Sequence, residues 1–229
     1  MNDNIYNDVY IERFSAWSPG IGSFDEWNEW AAGTRKIQSG NVSPELAFTE
    51  SIFRRRLSQI SKMTIQVVYD LLPVNEDTKM IFLSLRGELS KQYAINKMVV
   101  EDKALMPAAF SLSVFNAPIA LASMAHGLKG GYCAIYPAKD SFASGFAAAQ
   151  AALLQGANDQ LILVYADEAA PPEYAQLLPD NPSPFAFGIL LRREAKSGSV
   201  PFSSLQNKKN SPEDFLKQLL TMKELYVSS

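Results

Sequence analysis

Residues 141–155, Ser-Phe-Ala-Ser-Gly-Phe-Ala-Ala-Ala-Gln-Ala-Ala-Leu-Leu-Gln, constrain the fold more than any other stretch of the chain. They read as a helix that is apolar on nearly every side, because Ser141, Ser144, Gln150 and Gln155 do not gather into a solvent face. A helix apolar all round is buried all round, and its alanines and glycine suit close approach by another backbone. In a chain of 229 residues that burial calls either for the centre of a self-sufficient three-layer domain or for a second chain.

The neighbouring pattern supplies layers. Residues 9–17 alternate as a strand, with Val9, Ile11 and Arg13 on one side and Tyr10, Glu12 and Phe14 on the other. Short apolar runs at 80–85, 132–136, 161–165 and 185–191 read as further, mostly buried strands. Leu57, Ile60, Met63, Thr64, Val67, Val68 and Leu71 form one stripe of an amphipathic helix. Ser23 is placed to cap a short helix through Trp30, and Ser211 with Pro212 to start a last helix reaching roughly Tyr226. Residues 196–210 are mostly polar and read as a mobile loop. Strands alternating with helices imply an α/β layered fold with a mixed sheet and a buried central helix. The expected division is 1–195 as the main domain and 196–229 as a polar loop with a C-terminal helix.

Composition excludes several classes. A hydrophobic fraction of 47% is ordinary for a globular chain, so disorder is excluded. A net charge of −3 gives no general attraction for nucleic acid or anionic lipid. With one cysteine, Cys133, there is no internal disulfide; the residue reads as a small buried hydrophobe in a reducing compartment. With one histidine, His126, a zinc or other metal site is not expected, and neither is any mechanism needing two histidines in this chain. No cofactor loop of the GxxxxGK[ST] or GxGxxG type is present. Residues 1–8 lack a basic start and an apolar run, and no stretch approaches about 18 uninterrupted apolar residues, so neither a secretion signal nor a membrane span is expected. The expectation is a soluble cytoplasmic protein. Arg54, Arg55 and Arg56 stand together and suit either a phosphate or a solvated helix start.

One run has a sharper resemblance. Asn116-Ala-Pro-Ile-Ala-Leu-Ala-Ser-Met-Ala-His-Gly-Leu-Lys-Gly-Gly131, followed by Tyr132-Cys-Ala-Ile-Tyr-Pro-Ala-Lys-Asp-Ser141, resembles the N-terminal half of β-ketoacyl synthases. Val9-Tyr-Ile-Glu-Arg-Phe-Ser-Ala-Trp-Ser-Pro19 and Phe24-Asp-Glu-Trp27 are similar to that family's opening strand and first helix. Arg54-Arg-Arg-Leu-Ser-Gln-Ile-Ser61 and Phe110-Ser-Leu-Ser-Val-Phe-Asn116 resemble its chain-length-factor branch. The resemblance covers most of residues 5–195 and implies the N-terminal half of a thiolase-like fold.

Two departures bear on function. The family's nucleophilic cysteine follows an alanine at the turn into the central helix. Counted without a gap from Gly130-Gly131, its position is Lys139, with Asp140 next; Cys133 lies six residues earlier. The family's catalytic histidines belong to a C-terminal half that this sequence does not contain. An acyl group on a lysine would be an unreactive amide rather than a thioester, so condensation would stall there. The resemblance therefore implies no catalytic residue, no cofactor and a non-catalytic chain-length factor. Its partner would be an active β-ketoacyl synthase working on acyl carrier protein thioesters, in a fatty-acid-like or aryl-polyene-like pathway. By position, Met106, Ala109 and Phe110, with Phe115, Asn116 and Ile119 nearby, would line the acyl tunnel at the dimer interface; for Phe110 and Phe115, plain core packing is an equal reading. The alternative is an independent acyltransferase or hydrolase using Lys139, Asp140 or His126, including a triad of Ser141 with His126, although Ser141 also suits a helix cap.

Overall fold

The structure, a computed structural model, describes residues 8–103, 107–137, 142, 144–174, 176–177, 183–205 and 211–228. The elements in chain order are β1 (Tyr10–Trp17), α1 (Phe24–Ala31), α2 (Ser51–Arg54), α3 (Gln59–Asp70), β2 (Lys79–Leu83), α4 (Leu89–Glu101), α5 (Pro107–Phe110), α6 (Ala117–His126), β3 (Tyr132–Ile135), α7 (Ser144–Leu154), β4 (Gln160–Asp167), β5 (Phe185–Arg192), β6 (Val200–Pro201) and α8 (Pro212–Leu219).

The strands make one mixed sheet in the order β3-β2-β4-β5-β1-β6. β3, β2 and β4 are parallel, and β5 runs antiparallel to both β4 and β1. Every residue of β4 is buried, as a central strand covered on both faces must be. One face carries α3 and α6: Ile60, Met63, Val67 and Val68 meet Met80, Phe82, Ile162, Val164 and Ile119. The other carries α1, α7 and α8: Trp27, Phe146, Ala149, Leu153, Phe215 and Leu219 meet Leu83, Leu163, Tyr165, Phe187 and Leu191. The layered α/β architecture expected from the sequence is the one observed.

Local chemistry sets the boundaries. Ser23, Ser58 and Ser211 each accept a hydrogen bond from the backbone N–H three residues on, and so start α1, α3 and α8. Gly130-Gly131 has a steric reason before β3. A Cβ at Gly130 would lie 2.1 Å from the Asp77 carbonyl oxygen, and Gly131 has φ +80°.

Several expectations are corrected. The strict alternation of β1 breaks because the register shifts between Ile11 and Arg13, leaving Glu12 as an extra residue. Ile11 and Phe14, expected on opposite sides, consequently share one core. α4 was not signalled by the sequence, because it buries only Ile95 and so carries no apolar stripe. The expected polar loop after 195 includes β6, and Phe202 and Leu205 are buried in the core beside α8. α8 itself ends at Leu219, short of Tyr226. Cys133 is exposed, not buried, because β3 is the edge of the sheet. Within this chain α7 is buried on one face only: Gly145, Phe146, Ala149 and Leu153 face the core, while Ser144, Ala147, Ala151 and Leu154 are exposed, so of the two ways to bury it the single three-layer domain is not the one observed.

Candidate functional site

The carboxyl ends of the parallel strands β2, β3 and β4 lie at one end of the sheet, where open α/β sheets build their sites. The connection from β3 to α7 belongs to this end. Lys139, Asp140 and Ser141 fall in that connection by sequence and lie outside the described residues, as does Met106. The start of α7 is packed with aromatic rings. Phe142 meets Tyr165 edge-on at 5.2 Å and Phe146 at 5.2 Å, and Phe146 stacks on Phe215 at 4.2 Å. Gly145 allows the helix to come close to β2, since a Cβ there would lie 2.7 Å from the Leu83 side chain.

Beside it, the loop after β2 is organised by a buried acid. Asp167 accepts hydrogen bonds from Ser84 Oγ (2.6 Å), Leu85 N (2.9 Å), Arg86 N (3.0 Å) and Tyr165 OH (2.9 Å). Four donors satisfy a charge that would otherwise be costly in the interior, and burial still holds the Asp167 carboxyl above its usual range. Sequence reading missed Asp167, Glu168 and Glu88. The signal for the first two was an acidic pair ending an apolar strand run, at the end of a sheet where sites form.

The proposed tunnel residues divide. Phe110, on α5, is 54% exposed and so is not part of this chain's core. Val114 and Asn116 are also exposed, and Ala109 is half-buried. Phe115 packs edge-on against Phe82 at 6.2 Å and closely over Gly87. Ile119 is fully buried between α6 and the sheet.

The open side of the sheet is β3. Met80 N–H donates to Gly131 O and Ser84 N–H to Ile135 O, so β3 turns the peptide groups of residues 131, 133 and 135 toward β2. Those of Tyr132 and Ala134 point away, with no strand beyond them among the described residues. Tyr132, Cys133 and Tyr136 are exposed along this edge. The opposite edge is blunted, because β6 is two residues long and ends in Pro201.

His126 is elsewhere. It ends α6 on the other face of the sheet from α7, its Nε2 lies 3.0 Å from Ile65 O, and its ring sits among Phe48 and Tyr69. Burial lowers its pKa below the ordinary imidazole value. This placement gives it a packing role and separates it from α7. The arginine run also resolves: Arg54 donates to Leu46 O and Thr49 O, while Arg55 and Arg56 are exposed. No group of His, Cys, Asp and Glu among the described residues is arranged to hold a metal ion. No helix among them is long and apolar enough to cross a membrane.

This mixed sheet with helices on both faces matches the fold of thiolase-like ketosynthase N-terminal domains. The family model of the beta-ketoacyl synthase N-terminal domain matches residues 27–226, and the chain belongs to that family. Among solved structures it is similar to the ketosynthase ApeO in complex with its chain length factor ApeC from Xenorhabdus doucetiae. The identity is 24% and the TM-score 0.68, over 82% of this chain and 80% of that one. The ishigamide ketosynthase/chain length factor matches at 15% identity and TM-score 0.64, over 81% of this chain and 62% of that one. AntDE:AntF, a type II polyketide acyl-carrier protein in complex with its ketosynthase bound to the hexaketide, matches at 12% and 0.61, over 82% and 64%. The chain thus spans less than two thirds of these last two. No curated protein matches the sequence.

Proposed function

We propose that this chain is a chain-length factor. In this reading it is a ketosynthase-like subunit without a nucleophile that pairs with an active β-ketoacyl synthase and shapes the tunnel in which an acyl chain, carried by acyl carrier protein, is elongated. The observation that carries the reading is the lysine at position 139, in the connection from β3 to α7 where the family's thiol would stand. An amine there cannot hold a thioester. Two features support it. Among the described residues β3 has no strand on its outer side, so the outward peptide groups of Tyr132 and Ala134 are open to a partner strand, and the exposed apolar residues Phe110 and Val114 lie on the segment that the family resemblance places across the interface. Complexes named for a ketosynthase with its chain length factor are among the similar folds. On the same reading the protein works in the cytoplasm and the chain being elongated is fatty-acid-like or aryl-polyene-like.

Gel filtration of the chain with and without its ketosynthase tests the pairing, and product analysis by mass spectrometry tests the role. Lys139→Ala leaves condensation by the complex intact; loss of activity with the complex still assembled would overturn the passive role. Phe110→Ala lengthens the product by removing an exposed ring from the tunnel's end, and a shorter product is the outcome this reading excludes.

A further inference from the structure

α4 is held to the domain in an unusual way. It buries a single residue, Ile95, and leaves Val99 and Val100 exposed, so apolar packing contributes little. What fixes its start is polar and buried. Glu88, just before the helix, is only 2% exposed, and its Oε1 accepts hydrogen bonds from Ser58 Oγ (2.6 Å) and Ser61 Oγ (2.5 Å) at the start of α3. Glu168, just after β4 and 6% exposed, accepts through Oε2 from the Ile60 N–H at 3.1 Å. The remaining oxygens, Glu88 Oε2 and Glu168 Oε1, are buried without a hydrogen-bond partner. Two carboxylates thus converge on one helix N-terminus, each with one oxygen unsatisfied.

The charges around them do not balance. Lys91 on α4 faces both carboxylates, and its Nζ also donates to Arg56 O at 2.8 Å. Asp167, at the end of β4, adds a further negative charge next to Glu168, and Arg86 in the loop after β2 acts on Asp167. On α3, Ser58 and Ser61 supply hydroxyls and Ile60 a backbone N–H, all of them neutral groups. With Asp167 set against Arg86, two carboxylates share one ammonium, and burying the excess charge is costly.

We propose that Glu88 and Glu168 together hold one proton, and that this proton fastens the start of α4 to α3 and to the end of β4 as a pH-sensitive latch. A proton on one of the two carboxyls removes the excess charge from a buried pair that faces a single ammonium, that of Lys91. Burial, reinforced by the charge of Glu88, pushes Glu168 up to about 7. The native state therefore binds more protons than the unfolded chain between the ordinary glutamate value of 4.5 and about 7. The latch is complete below that window, weakens as pH rises through it, and is open above. Only its consequence rests on the chain-length-factor reading: α4 leads into α5, and loosening it makes the wall carrying Phe110 mobile.

Hydrogen exchange of residues 89–101 in the full chain tests the latch, corrected for the intrinsic pH dependence of exchange. Relative to β4, protection of α4 falls by about tenfold between about pH 6 and about pH 8.5. Glu168→Gln, which replaces the carboxyl with a neutral amide of the same shape, removes this pH dependence. Protection that does not change with pH in the wild type, or an unchanged pH dependence in Glu168→Gln, overturns the latch. Should that variant not fold, infrared spectroscopy of the wild type decides. A protonated-carboxyl band present at about pH 6 and lost by about pH 8.5 is expected, and its absence at the lower pH refutes the shared proton. Neither readout needs a partner, so the latch fails or stands separately from pairing with a ketosynthase.

Discussion

Replacing Ala134 with proline is expected to abolish co-elution of the chain with a ketosynthase subunit while leaving the chain folded. The peptide group of Ala134 points away from β2, toward the open edge of the sheet. In the isolated chain proline there removes an N–H that faces solvent, and edge strands tolerate this. In a complex that adds a strand to β3, the same substitution removes a ladder hydrogen bond and places a ring against the incoming backbone. The expected loss of affinity is at least about a hundredfold, equivalent to about 3 kcal/mol, read by gel filtration and a binding titration. The midpoint of denaturant unfolding should move little, by the equivalent of about 1 kcal/mol or less. A complex that survives Ala134→Pro would show that the partner docks elsewhere.

Phe146→Ala is expected to cost about 3–5 kcal/mol of stability, the range for truncating a buried phenylalanine. The ring is 4% exposed, stacks on Phe215 at 4.2 Å and meets Phe142 and Phe202 at 5.2 and 5.5 Å. Against a total of about 5–15 kcal/mol for a typical domain, that is a large share. Phe215→Ala should cost nearly as much, and the double variant less than the sum, because the two rings share one contact. Denaturant unfolding followed by tryptophan fluorescence and circular dichroism measures all three. The same experiment tests the division at residue 195. Phe202, Leu205, Phe215 and Leu219 are in one core with Phe146, so we expect a single transition. Two separated transitions would show that the C-terminal segment folds as its own unit.

These two sites illustrate how much was legible beforehand. The stripe of α3 and the serine caps of α1 and α8 were readable because spacing and capping are local properties, decided within one or two turns. The run from Asn116 to Ser141 carried the family resemblance, and the family model confirms it. α4 was invisible because its attachment is polar, through Glu88 and Lys91 to residues about thirty positions away, and leaves no hydrophobic period. The buried acids Asp167 and Glu168 were missed for the same reason: their donors come from Ser84, Leu85, Arg86 and Ile60, distant in the chain. Cys133 was misjudged because burial of a strand residue depends on whether another strand lies beyond it.

What the sequence determined by itself was composition and order: an α/β chain with a single cysteine and a single histidine, a lysine after Ala138, and helices and strands in a sequence that suits a layered sheet. Those follow from residue identity and short-range periodicity. Only the tertiary structure decided that β3 is the open edge, that one face of α7 is closed by aromatic rings from α8 and residues 202–205, and that two glutamates meet at the start of α3. Each of these depends on which distant segments become neighbours, and the free energy of such contacts resides in buried area and unsatisfied charge rather than in any local pattern.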